Sequence, residues 1–193
     1  MKDNYHHGNL REDLIKAGLK LINEAGIEAL SLRKVASLCD VSHSAPYAHF
    51  KDKEELVEAI KDKVTQDFMT VLEESINSSN NASEALLNMG KRYISFFIDN
   101  PDYFKFLFAN QQLTAHTSVD KEYDNDYPPF KLLKSQYLKY LSENNIKETD
   151  LEKELGIIKL WSTVHGLASI ACMPNVKVSF NFEEKLKEDI LLK

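Results

Sequence analysis

Between Leu32 and Glu55 the chain reads LRKVASLCDVSHSAPYAHFKDKEE, two short helical stretches parted by a tight turn, with a third helix starting at once. Leu32, Val35, Ala36 and Cys39 recur at helical spacing, so a helix of about two turns, Ser31 to Leu38, can bury one face. Ser31 stands where an N-cap belongs, its hydroxyl placed to accept from a first-turn amide. Cys39-Asp40-Val41 leaves room only for a turn, and Ser42 is placed to cap a second helix ending at Phe50. A short helix, a tight turn and a second short helix form the arrangement that lays one helix in a DNA major groove.

Helix-period segments fill the remainder. Leu10, Leu14, Ala17, Leu21, Ile22 and Ala25 mark a first amphipathic helix, stopped by Gly26. Leu56, Ala59, Ile60, Val64, Phe68, Val71 and Leu72 mark a long fourth helix over 53–76, broken by Asn77-Ser78-Ser79-Asn80-Asn81. Further helices are expected over 82–100, from Pro101 through PDYFKFLFANQQL, and over 129–144, 150–173 and 183–192. The polar, acidic stretch 114–127 is expected as a mobile loop. No alternating strand pattern, internal repeat or low-complexity tract interrupts this order. The expected fold is all-α, with about nine helices. Residues 1–52 form a helix-turn-helix head, and residues 53–193 a larger helical bundle.

With 43% apolar residues the chain can bury a core, yet its apolar runs are too short for a membrane-spanning helix. MKDNYHHGNLRED holds no apolar segment of the signal type. Cys39 and Cys172 lie far apart on apolar faces, which argues against a disulfide and for a reducing, cytoplasmic setting. A net charge of −6 is unusual for a nucleic-acid protein. Residues 1–65 nevertheless carry 10 Lys and Arg against 11 Asp and Glu, so most of the acidity lies elsewhere. Attraction to phosphate would then be local, from Arg11, Arg33, Lys34, Lys51, Lys53 and the histidines.

The stretch ending in AG, then LSLRKVA, VS, YAHF and KDKEEL resembles the head of TetR/AcrR-family transcriptional regulators over residues 9–60. YHHGNLR at the N-terminus and WSTVHG at Trp161–Gly166 resemble a TetR subgroup with a C-terminal Trp-x-x-x-His-Gly motif. The resemblance implies a homodimer that reads a double-stranded, palindromic operator, with a body that binds a small effector. It places Arg33 within reach of a base from the second helix. His43, Ser44 and Ala45 fall at the base-facing start of the recognition helix, and Tyr47, His49 and Lys53 at phosphate-contacting positions. The chain departs from the pattern at Pro46, which removes an amide donor from that helix.

The residue types fit those roles on their own terms. An arginine can pair bidentately with guanine, and the leading end of a recognition helix meets base edges first. Singly, each also has a plain structural reading: Arg33 a solvated helix residue, Tyr47 cover for the core edge, His49 a packed core histidine. Tyr5, His6, His7 and Arg11 read equally as an arm on the DNA backbone or as a frayed end. No ligand spacing suggests a metal, and no cofactor is implied.

The second half holds most of the aromatics. Tyr93, Phe97, Phe104, Phe108, Tyr137, Trp161 and His165 are the candidates for an effector pocket, the competing reading being ordinary core. The apolar stretch Leu160–Met173, with Ile190 and Leu191, exceeds what one bundle needs and suits a two-fold dimer interface. No phosphate loop, nucleophile elbow, HExxH or carboxylate pair argues for an enzyme. The expected function is a repressor released by a small molecule. The alternative is a helical, dimeric ligand-binding or adaptor protein without DNA binding.

Overall fold

The structure, a computed structural model, describes residues 9–109, 113–177, 179–180 and 182–185. Its α-helices are α1 (Leu10–Ala25), α2 (Leu32–Leu38), α3 (Lys53–Asn77), α4 (Ala82–Asp99), α5 (Pro101–Phe104), α6 (Pro128–Glu143), α7 (Asp150–Ala171) and α8 (Phe182–Lys185). Short 3-10 turns at Ile27–Ala29 and Ala45–Ala48 and a π turn at Lys105–Ala109 complete the order. No strand occurs among the described residues, and the fold is all-α as expected. Among the described residues the helix count falls slightly below nine, the segment after Ser42 forming no α-helix.

Two compact units divide the chain: a head, Met1–Val64 with Lys105–Gln112, and a body, Thr65–Phe104 with Leu113–Lys193. The division thus falls inside α3 rather than at residue 52. The first turns of α3 go with the head because Leu56 and Ile60 are fully buried there. A Cβ on Gly18 of α1 would come 2.9 Å from the tip of the Ile60 side chain, so glycine lets α1 and α3 pack this closely without moving that side chain.

Local signals explain the head. Gly26 adopts φ 84, a conformation that favours glycine, and its N–H bonds Ile22 O at 2.8 Å to end α1. Ser31 Oγ accepts from Lys34 N at 3.3 Å and starts α2. Asp40 at φ 55 turns the chain after α2. Leu14, Ile22, Val35, Ala36, Phe50, Leu56 and Ile60 form the core, all 2% exposed or less. Burying Phe50 alone contributes about 2–3 kcal/mol. The Arg11 guanidinium lies 5.3 Å over its ring. The Lys105 ammonium donates to the Asn23 carbonyl, tying the π turn to α1.

The body is built around an aromatic cluster. Phe68 of α3 stacks on Phe96 at 4.9 Å and meets Phe97 at 4.8 Å and Tyr93 at 5.2 Å. Asn81 caps α4 through Glu84 N at 2.9 Å, and Thr149 and Glu152 form a capping box on α7. Glu143 Oε2 accepts from Ala82 N at 2.7 Å, joining the end of α6 to the start of α4.

The stretch 114–127 has no regular structure but is tied down. Asp126 Oδ1 accepts from His116 N at 2.8 Å and contacts His116 Nδ1 at 2.6 Å. Lys134 stands 3.7 Å from Asp126 Oδ2 and donates to His116 O at 3.1 Å. His116 stacks on Tyr123 at 3.9 Å, and Tyr127 N donates to Thr114 O at 2.7 Å. The expected mobile loop is therefore a stapled one. Burial alone would raise the Asp126 carboxyl, yet its His116 bonds and Lys134 hold it below the usual carboxylate range.

Candidate nucleic-acid interface and effector site

Arg33, His43, Ser44 and Tyr47 are all exposed, Tyr47 with 54% of its surface open although it is aromatic. Ala45 and His49 are half-buried, and Ala48 is exposed. The expected α-helix over 42–50 is instead a single 3-10 turn, Ala45–Ala48. Pro46 explains the difference. Its ring is buried, and its carbonyl accepts from both His49 N and Phe50 N at 2.9 Å, so the turn tightens and stops. Ser42 does not cap it; Ser42 Oγ meets Ser44 Oγ at 3.1 Å instead.

The cations are partly engaged. Half-buried Lys53 lies 3.7 Å from the exposed Glu28, a loose pair, and Lys34 Nζ donates to Ala29 O at 2.9 Å. Arg11 packs on Phe50 rather than standing free. The N-terminal arm of Tyr5, His6 and His7 lies outside the described residues. One residue that sequence reasoning missed is Ser37, whose hydroxyl donates to Arg33 O at 3.1 Å and meets His43 Nε2 at 3.2 Å. Its position one helical turn after Arg33 is the only local signal for it.

In the body, five of the seven pocket candidates share one neighbourhood. Tyr93 Oη meets His165 Nδ1 at 3.1 Å, His165 stacks on Phe104 at 5.1 Å, and Phe97 packs on both Tyr93 and Phe104. Trp161 joins them, 6.2 Å from the His165 ring and 5.0 Å from Phe130. Burial drives the Tyr93 hydroxyl far above its ordinary range, with the Trp161 side chain opposing the shift. Burial also lowers the His165 imidazole, which favours its neutral form. Tyr127, which sequence reasoning missed, has a buried hydroxyl without a well-aligned hydrogen-bond partner, beside the Thr65 side chain.

Tyr137 stands apart from this group. Tyr137 Oη donates to Glu148 at 3.1 Å and lines a separate cleft of about 110 Å³ with Tyr140, Gly156 and Lys159. Burial, then the bond to Glu148, raises its hydroxyl. Phe108 belongs to the head unit, within Lys105–Gln112. No three His, Cys, Asp or Glu side chains converge as a metal site among the described residues. No described helix is long and apolar enough to cross a membrane.

Residues 14–60 match the family model for bacterial regulatory proteins, tetR family. The head is therefore of the TetR type. A Haemophilus influenzae protein named as an uncharacterized HTH-type transcriptional regulator is 27% identical over 117 residues, 61% of this chain and 63% of its own length. The class C tetracycline repressor of Escherichia coli is 40% identical over 50 residues, 26% of this chain and 23% of its own. The chain thus matches less than two thirds of the length of these curated relatives. Among solved structures, AibR in complex with isovaleryl coenzyme A and operator DNA superposes with a TM-score of 0.67 at 14% identity, covering 93% of this chain and 94% of its own. That likeness shows a common fold beyond the TetR-type head.

Proposed function

We propose that this protein is a dimeric, sequence-specific DNA-binding regulator of transcription, acting as a repressor that a small effector releases from a palindromic operator. One observation carries the reading: a TetR-type head leaves His43, Ser44 and Tyr47 in solvent on the segment that such heads insert into the major groove, with Arg33 in solvent on α2 before it. Arg33, His43, Ser44 and Ala45 would meet base edges. Tyr47, His49 and Lys53 would meet phosphates. The WSTVHG motif supports placing the body in the Trp-x-x-x-His-Gly subgroup.

Dimerisation is supported by α7. Leu151, Leu155, Ile158 and Ile170 are exposed apolar residues of that helix, with Met173 just beyond it, and a second copy would cover them. Each protomer would read one half-site, with half-site centres about one helical turn of DNA apart. Effector binding is supported by the polar tips of Tyr93, Tyr127 and His165 among aromatic rings, and by the ligand in the AibR structure. By linkage, operator and effector must weaken each other equally.

Selection from random duplexes, read by sequencing, tests this directly. The expected result is a palindromic consensus whose affinity falls steeply as salt rises. A protein that enriches no sequence, or binds independently of salt, is the helical adaptor instead.

A further inference from the structure

Ser37 and His43 form a side-chain bond that the roles assigned above leave unused. Ser37 sits on α2, His43 follows the turn at Cys39–Val41, and both side chains are exposed. A serine hydroxyl has one hydrogen and two lone pairs. Here the hydrogen goes to the Arg33 carbonyl one turn back, at 3.1 Å. The oxygen is then left as an acceptor, 3.2 Å from His43 Nε2. Such an acceptor is matched by a ring that carries its hydrogen on Nε2. In a neutral imidazole that leaves Nδ1 with a lone pair and no hydrogen. Nδ1 has no partner among the described residues.

From this geometry we infer that Ser37 is a positioning residue that sets the His43 tautomer, and that His43 thereby selects a base offering an amino hydrogen. In the major groove only adenine N6 and cytosine N4 present such a donor, whereas guanine N7 and O6 and thymine O4 present acceptors. The inference rests on the DNA-reading function proposed above and adds a stated base class at one position of each half-site. A chain with an acceptor at this point repels the lone pairs of guanine and thymine. The preference follows from one bond between side chains, not from the identity of the histidine alone.

Two measurements test it together. Nitrogen-15 NMR of the free, full-length protein reads the tautomer, with hydrogen on Nε2 of His43 as the expected state. Duplex selection is then run on the wild type, His43→Ala, Ser37→Ala and Ser37→Thr. His43→Ala marks the position it reads by flattening it. At that position the wild type is expected to enrich adenine or cytosine about fivefold, the worth of one hydrogen bond. Ser37→Ala should lose that preference while other positions keep theirs, and Ser37→Thr, which keeps the hydroxyl, should restore it. Alanine is a better helix former than serine, so a folding defect is not expected from Ser37→Ala. Enriched sequences with an unchanged preference in Ser37→Ala, or a ring protonated on Nδ1, overturn the inference and leave DNA reading intact. Absence of any enriched sequence overturns DNA reading, and this inference with it.

Discussion

In the head, Arg33, His43, Ser44 and Tyr47 hold their polar atoms in solvent, over a core of aliphatic residues and Phe50. In the body, Tyr93, Tyr127 and His165 turn theirs inward among Phe68, Phe97, Phe104 and Trp161. The same residue types thus do opposite physical work. An outward polar group costs little to keep and is ready for a charged, hydrated partner such as a phosphate. An inward one has given up its water and needs a defined partner within the protein or a ligand. The contrast teaches where each variant should act: changes in the body should register as stability, and changes in the head as DNA affinity.

Asp126→Ala should have the largest effect, removing the buried partner of Lys134 and His116 at a cost of about 3 kcal/mol. Urea unfolding reads the loss. A drop in consensus-DNA affinity without a stability change would break the division between head and body.

Gly156→Ala comes next. Its Cβ would lie 2.1 Å from Tyr137 Oη, so the ring must leave Glu148, at about 2 kcal/mol. Combined with Tyr137→Ala, which removes the obstacle, the two losses should be clearly sub-additive in the same unfolding assay. Strict additivity would show that the contact does not set the cost.

Arg33→Ala should leave stability unchanged and relax one position of each half-site by about 1–3 kcal/mol. Relative affinities across operator variants, measured by competition, check this; an unchanged pattern refutes the assignment. Lys53→Ala should weaken all sequences alike and reduce the salt slope by about one unit. Its pair with the exposed Glu28 is loose, so unfolding should scarcely register the change.

The smallest effect should come from pH. Burial depresses the His165 pKa, so as pH falls past its ordinary 6.5 the unfolded chain takes up a proton first. The stability that a neutral His165 allows is full above that value and is lost as pH falls toward the lower folded value. Urea midpoints at about pH 8 and about pH 5.5 should differ, and His165→Gln should narrow the gap. An equal gap in the variant would assign the pH effect to another group.

Much of this was legible in the residues, because amphipathic period and caps are local. Ser31, Gly26 and the pattern Leu56–Ala59–Ile60–Val64 announce their elements, and the structure places helices there. The exposure of Arg33 likewise follows from helical phase. The misses are non-local. Asp126 ties His116 and Lys134, ten residues before it and eight after, and no periodicity records a bond of that kind. Tyr137 looked like a pocket aromatic because spacing cannot tell which neighbour its hydroxyl will meet, and Glu148 takes it. The 3-10 turn at Ala45–Ala48 was signalled by Pro46, but the extent of shortening depends on the burial of its ring.

Pro46 has one further consequence. Its ring fixes φ and is anchored in the head's core, so few backbone states are open to this segment in the free protein. On the function proposed, association with DNA would then lose little conformational entropy at this surface, and more of the contact energy would appear as affinity. Glycine at this position would touch no base, yet it should slow the capture of DNA by leaving a chain that must first find its shape.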